Sequence, residues 1–126
     1  MDRKWVFRGW DAVGQKGWVY GDLVHNKKVT VDGLEPRVMV GGYEVVPESV
    51  GLWTGLKDKN GKEVFEGDWV LLECVGVFNV RYSTSMCQFG LYGERGFVDA
   101  LKELQADRYE VVGNIISGHK NEKENG

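Results

Sequence analysis

The stretch GLKDKNGKEVFEGDWVLL, from Gly55 to Leu72, turns the chain twice and so limits what the rest of it can build. Asp58-Lys59-Asn60-Gly61 is a turn sequence, because Asn and Gly accept positive φ and Asp can hydrogen-bond its own backbone. Glu66-Gly67-Asp68 predicts a second reversal, and Trp69-Val70-Leu71-Leu72 follows with strand-type side chains. Two reversals around the short Val64-Phe65 segment predict a tightly curled small barrel.

Composition extends that expectation to the whole chain. Gly occurs 18 times and Pro twice, at Pro36 and Pro47, which predicts many tight turns between short strands and a mainly β fold. A chain of 126 residues with 42% hydrophobic side chains has the size and core material of about one domain. The formal charge of −3 lacks the cationic surplus of a typical nucleic-acid module. Cys74 and Cys87 form no C-x-x-C pair, and His25 and His119 complete no familiar zinc spacing, so no metal site is expected. No apolar run approaches ~18 residues and the start has no long apolar h-region. These features read as a soluble, cytoplasmic protein with reduced thiols.

Alternating residues in KWVFRGW and GWVYGDLVH, joined by the Gly-rich DAVGQKG, predict an N-terminal β-hairpin. Asp32-Gly33 marks a further turn, and the stretch from His25 to Gly42 reads as an irregular hairpin or a mobile excursion. Two strands are expected within DWVLLECVGVFNVRYS, split near Glu73 to Gly76, then a short strand in CQFGLYG and another in RYEVVGNII. Phe97, Val98, Leu101 and Leu104 fall at helical spacing and predict one short α-helix. SGHKNEKENG is polar and reads as a frayed tail.

Residues with chemical potential have plain structural readings beside them. Glu66 and Asp68 could pair as carboxylates for acid–base or metal chemistry, yet flanking a Gly in a turn they are better suited to capping backbone amides. Gly55, Gly61 and Gly67 match no phosphate-binding motif. Cys87 has no ordered base to activate it, so no catalytic residue is assigned. Lys57, Lys59 and Lys62 with Phe65 and Trp69 form a basic–aromatic cluster of the kind that binds single strands, but Asp58, Glu63, Glu66 and Asp68 interleave with the lysines. The tryptophans are harder to place. Trp5 and Trp18 sit in alternating strands and are expected in the core, whereas Trp10 and Trp53 are the better candidates for a partner surface.

Four blocks, FRGWD, GWVYGDLV, YEVVPESVGLWTGLKDKNGKEVFEGDWV and YEVVGNI, resemble the YopX family of small phage- and prophage-encoded proteins, in the family's order. The sequence departs from the family at Trp53 and Trp69, where smaller residues are more usual. The resemblance implies an SH3-type small barrel in the later half, a bacterial setting, and no catalytic residues to carry over.

The combined expectation is a mainly β protein: an SH3-like barrel over residues 51–116, an N-terminal β region over residues 1–50 and a tail over residues 117–126. Its expected role is a non-catalytic accessory protein that binds other proteins. The expected partners are a second copy of itself, through β-edges or aromatic patches, and a host or phage protein. The candidate surface comprises Trp10, Trp53, Lys57, Lys59 and Lys62, with no cofactor and no membrane partner. Nucleic-acid association through the barrel surface is the competing reading, and surface charge would separate the two.

Overall fold

The computed structural model describes residues 5–14, 16–114 and 118–119. The chain divides into two compact units, residues 1–52 and residues 53–126.

In the first unit, β1 (Phe7–Trp10) pairs antiparallel with β2 (Trp18–Gly21), which is the hairpin that the alternating aromatics predict. The carboxylate of Asp11 closes the connection by accepting the backbone N–H groups of Val13 at 3.0 Å and Lys16 at 3.2 Å. The opposite edge of β1 pairs with the start of β6 (Gly51–Lys57), through Phe7 with Leu52 and Arg8 with Gly51. Val19, Val40 and Val45 form the core of this unit, with Phe7, Leu23, Val38 and Val50 packed against them. β1 crosses this core so closely that a Cβ at Gly9 would lie 2.8 Å from three side-chain atoms of Val45. Only glycine fits there.

The stretch from His25 to Gly42 is neither irregular nor an excursion without structure. β3 (Leu23–Thr30) and β4 (Gly33–Val40) form a regular ribbon with one register from Leu23–Val40 to Thr30–Gly33. Its two-residue turn, Val31-Asp32, is fixed by Thr30: the hydroxyl donates to Gly33 O at 3.1 Å and accepts the Asp32 N–H at 3.2 Å. β5 (Tyr43–Glu44) pairs with the end of β4, and a 3-10 turn over Pro47–Ser49 follows. Periodicity hides this ribbon because both of its faces carry charged residues, Lys28, Glu35 and Arg37 on one and Lys27 on the other, so neither face is uniformly apolar.

In the second unit, the later part of β6 pairs with β7 (Glu63–Phe65), through Trp53 with Phe65 and Lys57 with Glu63. The turn between them is the Asn60-Gly61 reversal, with Gly61 at φ +81°. Asp58 organises it. Its Oδ1 accepts the N–H groups of Asn60 and Lys62, both at 2.9 Å. β8 (Trp69–Leu72), β9 (Gly76–Ser83), β10 (Gln88–Gly93), β11 (Gly96–Ala100), β12 (Tyr109–Asn114) and β13 (Gly118–His119) form one sheet in the order β11-β10-β9-β8-β12-β13. Val64, Val70, Leu72, Val80, Leu91 and Tyr109 are its buried core.

Two expectations are corrected here. Among the described residues the six-stranded sheet runs from β11 to β13 without pairing its ends, so the structure is mainly β but forms no closed barrel. Among the described residues the expected α-helix does not form either. Phe97 and Val98 lie in β11, and the following helical residues, Glu103–Arg108, are a 3-10 segment. Gly96 at φ +104° turns the chain back along β10, and cross-strand pairing overrides the helical spacing. Gly118 and His119, expected in a frayed tail, pair with Asn114 and Gly113, while the rest of residues 117–126 lies outside the described residues.

Candidate interaction surface

The register of the β1–β2 hairpin gathers one set of side chains on one face. Arg8 stands opposite Tyr20, and Trp10 opposite Trp18; facing residues of an antiparallel pair share a side. The Trp10 and Trp18 rings meet edge to face, with centroids 5.4 Å apart and planes at 87°. The Arg8 guanidinium carbon lies 4.2 Å from the centre of the Trp18 ring, a cation–π arrangement that holds this indole from a second direction. Arg8 is buried, both indoles are half-buried and Tyr20 is exposed. The Trp10 backbone N–H donates to Ser49 Oγ at 2.7 Å, and that hydroxyl donates to Val46 O at 2.6 Å, so the strand beneath the aromatics is anchored. Nearby in the same unit, the Lys16 ammonium lies 5.3 Å from the Tyr43 ring.

Trp10, a sequence candidate for a partner surface, lies half-buried on this face, and it has company that sequence reasoning misses. Trp18, expected in the core, shares this outer cluster, and Tyr20 carries the same parity two residues on. Trp5, also expected in the core, is 63% exposed. The signal for Trp18 and Tyr20 is the hairpin itself: once β1 and β2 pair around the DAVGQKG connection, their even-numbered residues share one side.

Trp53 belongs to the second unit and is half-buried. Its indole N–H donates to Leu56 O at 3.0 Å, and its strand partner is Phe65. The structure brings Lys57, Lys59 and Lys62 onto one exposed turn around Asp58. Lys59 Nζ lies 3.5 Å from Glu110 Oε1, and Lys57 stands opposite Glu63 in the strand pairing. Carboxylates therefore interleave with these ammonium groups in space as they do in sequence.

The remaining candidates for chemistry resolve into backbone support. Asp68 is buried and its Oδ2 accepts the Phe65 N–H at 2.8 Å, while Glu66 Oε2 accepts the Tyr82 N–H at 3.3 Å. Asn79 Nδ2 donates to Gly67 O and Asp68 O, fixing the same turn from below. Cys74 and Cys87 are exposed free thiols at hairpin turns with positive φ, and the Cys87 thiol donates to Thr84 O at 3.5 Å. Among the described residues no group of three or more His, Cys, Asp or Glu could hold a metal, and no helix is long and apolar enough to cross a membrane. Burial pushes the Tyr109 phenol above its ordinary value of 10.0, partly offset by the hydrogen bond from the Lys102 N–H.

Comparison with known proteins adds a family and a fold. The crystal structure of protein EF1440 from Enterococcus faecalis is similar over 98% of this chain and 99% of that one, with a TM-score of 0.51 and 20% sequence identity. At that identity the likeness is one of fold alone. No curated protein matches this chain. The family profile described as "YopX protein" matches residues 6–119, nearly the whole sequence, and the chain belongs to the YopX family.

Proposed function

We propose that this protein is a non-catalytic accessory protein of a phage or prophage that acts in the bacterial cytoplasm by binding other proteins. The observation that carries the reading is the outer face of the β1–β2 hairpin, where Trp10, Trp18 and Tyr20 lie together over a buried arginine. Aromatic side chains offer large contact area with few rotatable bonds, and Trp, Tyr and Arg dominate the binding energy of protein interfaces. The arginine holds the aromatic cluster in one arrangement before any partner arrives, which lowers the ordering cost of binding.

The test is capture of a partner from phage-infected or lysogenic cells by the immobilised protein and by its Tyr20→Ala and Trp10→Ala variants. Recovery of one protein by the native chain, and its loss with both variants at unchanged thermal unfolding, is the expected result. Equal recovery with all three would remove the aromatic face from the reading.

Nucleic-acid association is the second reading, and the three exposed lysines on the Asp58 turn are what favour it. The carboxylates of Glu63 and Glu110 beside Lys57 and Lys59 weigh against it.

A further inference from the structure

The β3–β4 ribbon ends in an apolar tip. Val31, in the two-residue turn, is fully exposed, Val29 is 83% exposed, and Leu34, directly opposite Val29, is 65% exposed. The Thr30 hydrogen bonds hold this turn in shape, so the valine is presented rather than left to collapse. Asp32 sits beside it on the exposed turn. Lys27 shares the side of Val29 and Leu34, two residues further from the tip.

The six-stranded sheet carries a matching recess of about 480 Å³ at the end shared by the β8–β9 and β10–β11 turns. Val75, Val77, Phe78 and Val98 wall it. Gly93 lies between two of these walls: a Cβ there would stand 3.5 Å from Val98 Cγ2 and 3.7 Å from Phe78 Cδ1. The missing side chain leaves the recess open. Exposed Glu94 and Arg95 complete its lining from the β10–β11 turn.

We propose that copies of this chain dock head to tail, the Val29–Val31–Leu34 tip of one copy seating in the Val75–Phe78–Val98 recess of the next. The occupant is a second copy because the two surfaces complement each other in both apolar character and charge. Asp32 at the tip meets Arg95 at the recess, and Lys27 behind the tip meets Glu94, so each apolar insertion is flanked by opposite charges. Opposite-charge pairs at a contact rim set orientation and exclude wrong registers more than they add affinity. Tip and recess are different surfaces, so the contact is heterologous and repeats from copy to copy, closing into a ring or running on as an open chain. This deepens the self-association expected of an interaction protein, and it uses residues other than the β1–β2 aromatics.

Sedimentation velocity of the purified protein alone tests the idea. The native chain is expected to gain mass with concentration, and Val31→Asp and Val98→Asp are each expected to be monomeric with unchanged thermal unfolding. An equimolar mixture of those two variants should form a dimer and nothing larger, because only one intact tip faces one intact recess. Arg95→Asp should weaken assembly about tenfold or more, and adding Asp32→Arg should restore it. A native chain that stays monomeric up to its solubility limit, a Val31→Asp variant that assembles like the native chain, or a mixture that stays monomeric would each overturn the proposal. None of these outcomes bears on capture of a foreign partner, which is read in a separate experiment through Trp10 and Tyr20.

Discussion

The Oδ2 atom of Asp58 accepts the backbone N–H of Val111 at 2.9 Å, joining positions 53 residues apart in sequence. The other oxygen of the same carboxylate holds Asn60 and Lys62, so one buried side chain ties the β6–β7 turn to β12. A second link runs beside it, from the Lys59 N–H to Tyr109 O at 3.0 Å.

Asp58→Ala leaves three backbone N–H groups without their acceptor. Each donor shielded from water costs about 1–3 kcal/mol when left unmade, and water reaching the opened turn recovers part of that. The expected loss is about 3 kcal/mol, read as a lower midpoint in urea unfolding. Asp58→Asn should fall between the two, since one amide oxygen can replace only part of the carboxylate's acceptor capacity.

Gly61→Val and Gly9→Ala should destabilise for different reasons. Gly61 sits at φ +81°, and a Cβ there would meet nothing within 4 Å, so its cost is backbone strain, roughly 1 kcal/mol or more. Gly9→Ala drives a methyl group into Val45 and should cost about 1–3 kcal/mol through overpacking. Shrinking the obstacle separates them: Val45→Ala should relieve the Gly9→Ala clash and leave the Gly61→Val loss unchanged in a double-mutant comparison.

Alkaline pH should weaken the fold through Tyr109. Burial raises its folded-state value above 10.0, so the unfolded chain releases the phenolic proton first. The contribution is fully present below about pH 10 and is lost as pH rises through the raised folded value. Tyr109→Phe should remove this part of the alkaline decline. It should also cost about 1 kcal/mol at neutral pH, because the Lys102 N–H loses its phenolic acceptor at 3.0 Å. Urea unfolding at neutral pH and above pH 10 checks both effects.

Duplex DNA should not bind at physiological salt. Non-specific binding depends on many cations releasing counterions from phosphates, and this chain has 16 basic against 19 acidic side chains. Fluorescence anisotropy with labelled duplex and single-stranded oligonucleotides would reveal it. Micromolar affinity with a steep salt slope, lost on Lys57→Glu and Lys62→Glu, would instead favour the nucleic-acid reading.

Features set by neighbours in sequence are legible without the structure. Asn60-Gly61, Glu66-Gly67-Asp68 and the β1–β2 alternation each encode their conformation within a few residues, and each appears where expected. What sequence reasoning misses is set across the chain. Phe97 and Val98 carry helical spacing but pair with β10, and the register shift between Leu91 and Tyr92 leaves Val98 as the extra residue. Trp5 alternates as a core residue should, yet it is 63% exposed. The recess depends on Phe78 and Val98 meeting across Gly93, a juxtaposition that only the strand order creates. The candidate site is half visible: Trp10 stands out as an aromatic, but Trp18 and Tyr20 join it only through the hairpin register.

Pro36 sits within β4, opposite Lys27. Counting back from the Thr30–Gly33 pair that closes the two-residue turn, this is a position whose backbone groups face away from β3. Proline has no N–H, so the outer side of β4 offers no donor there, and the Val38 carbonyl on that side is already taken by the Val45 N–H at 3.0 Å. A long exposed ribbon would otherwise be a template for uncontrolled strand addition and fibrous aggregates. By interrupting the row of donors on that side, Pro36 makes the outer edge of β4 a poorer template for strand addition while valine and leucine stay displayed at the ribbon's tip.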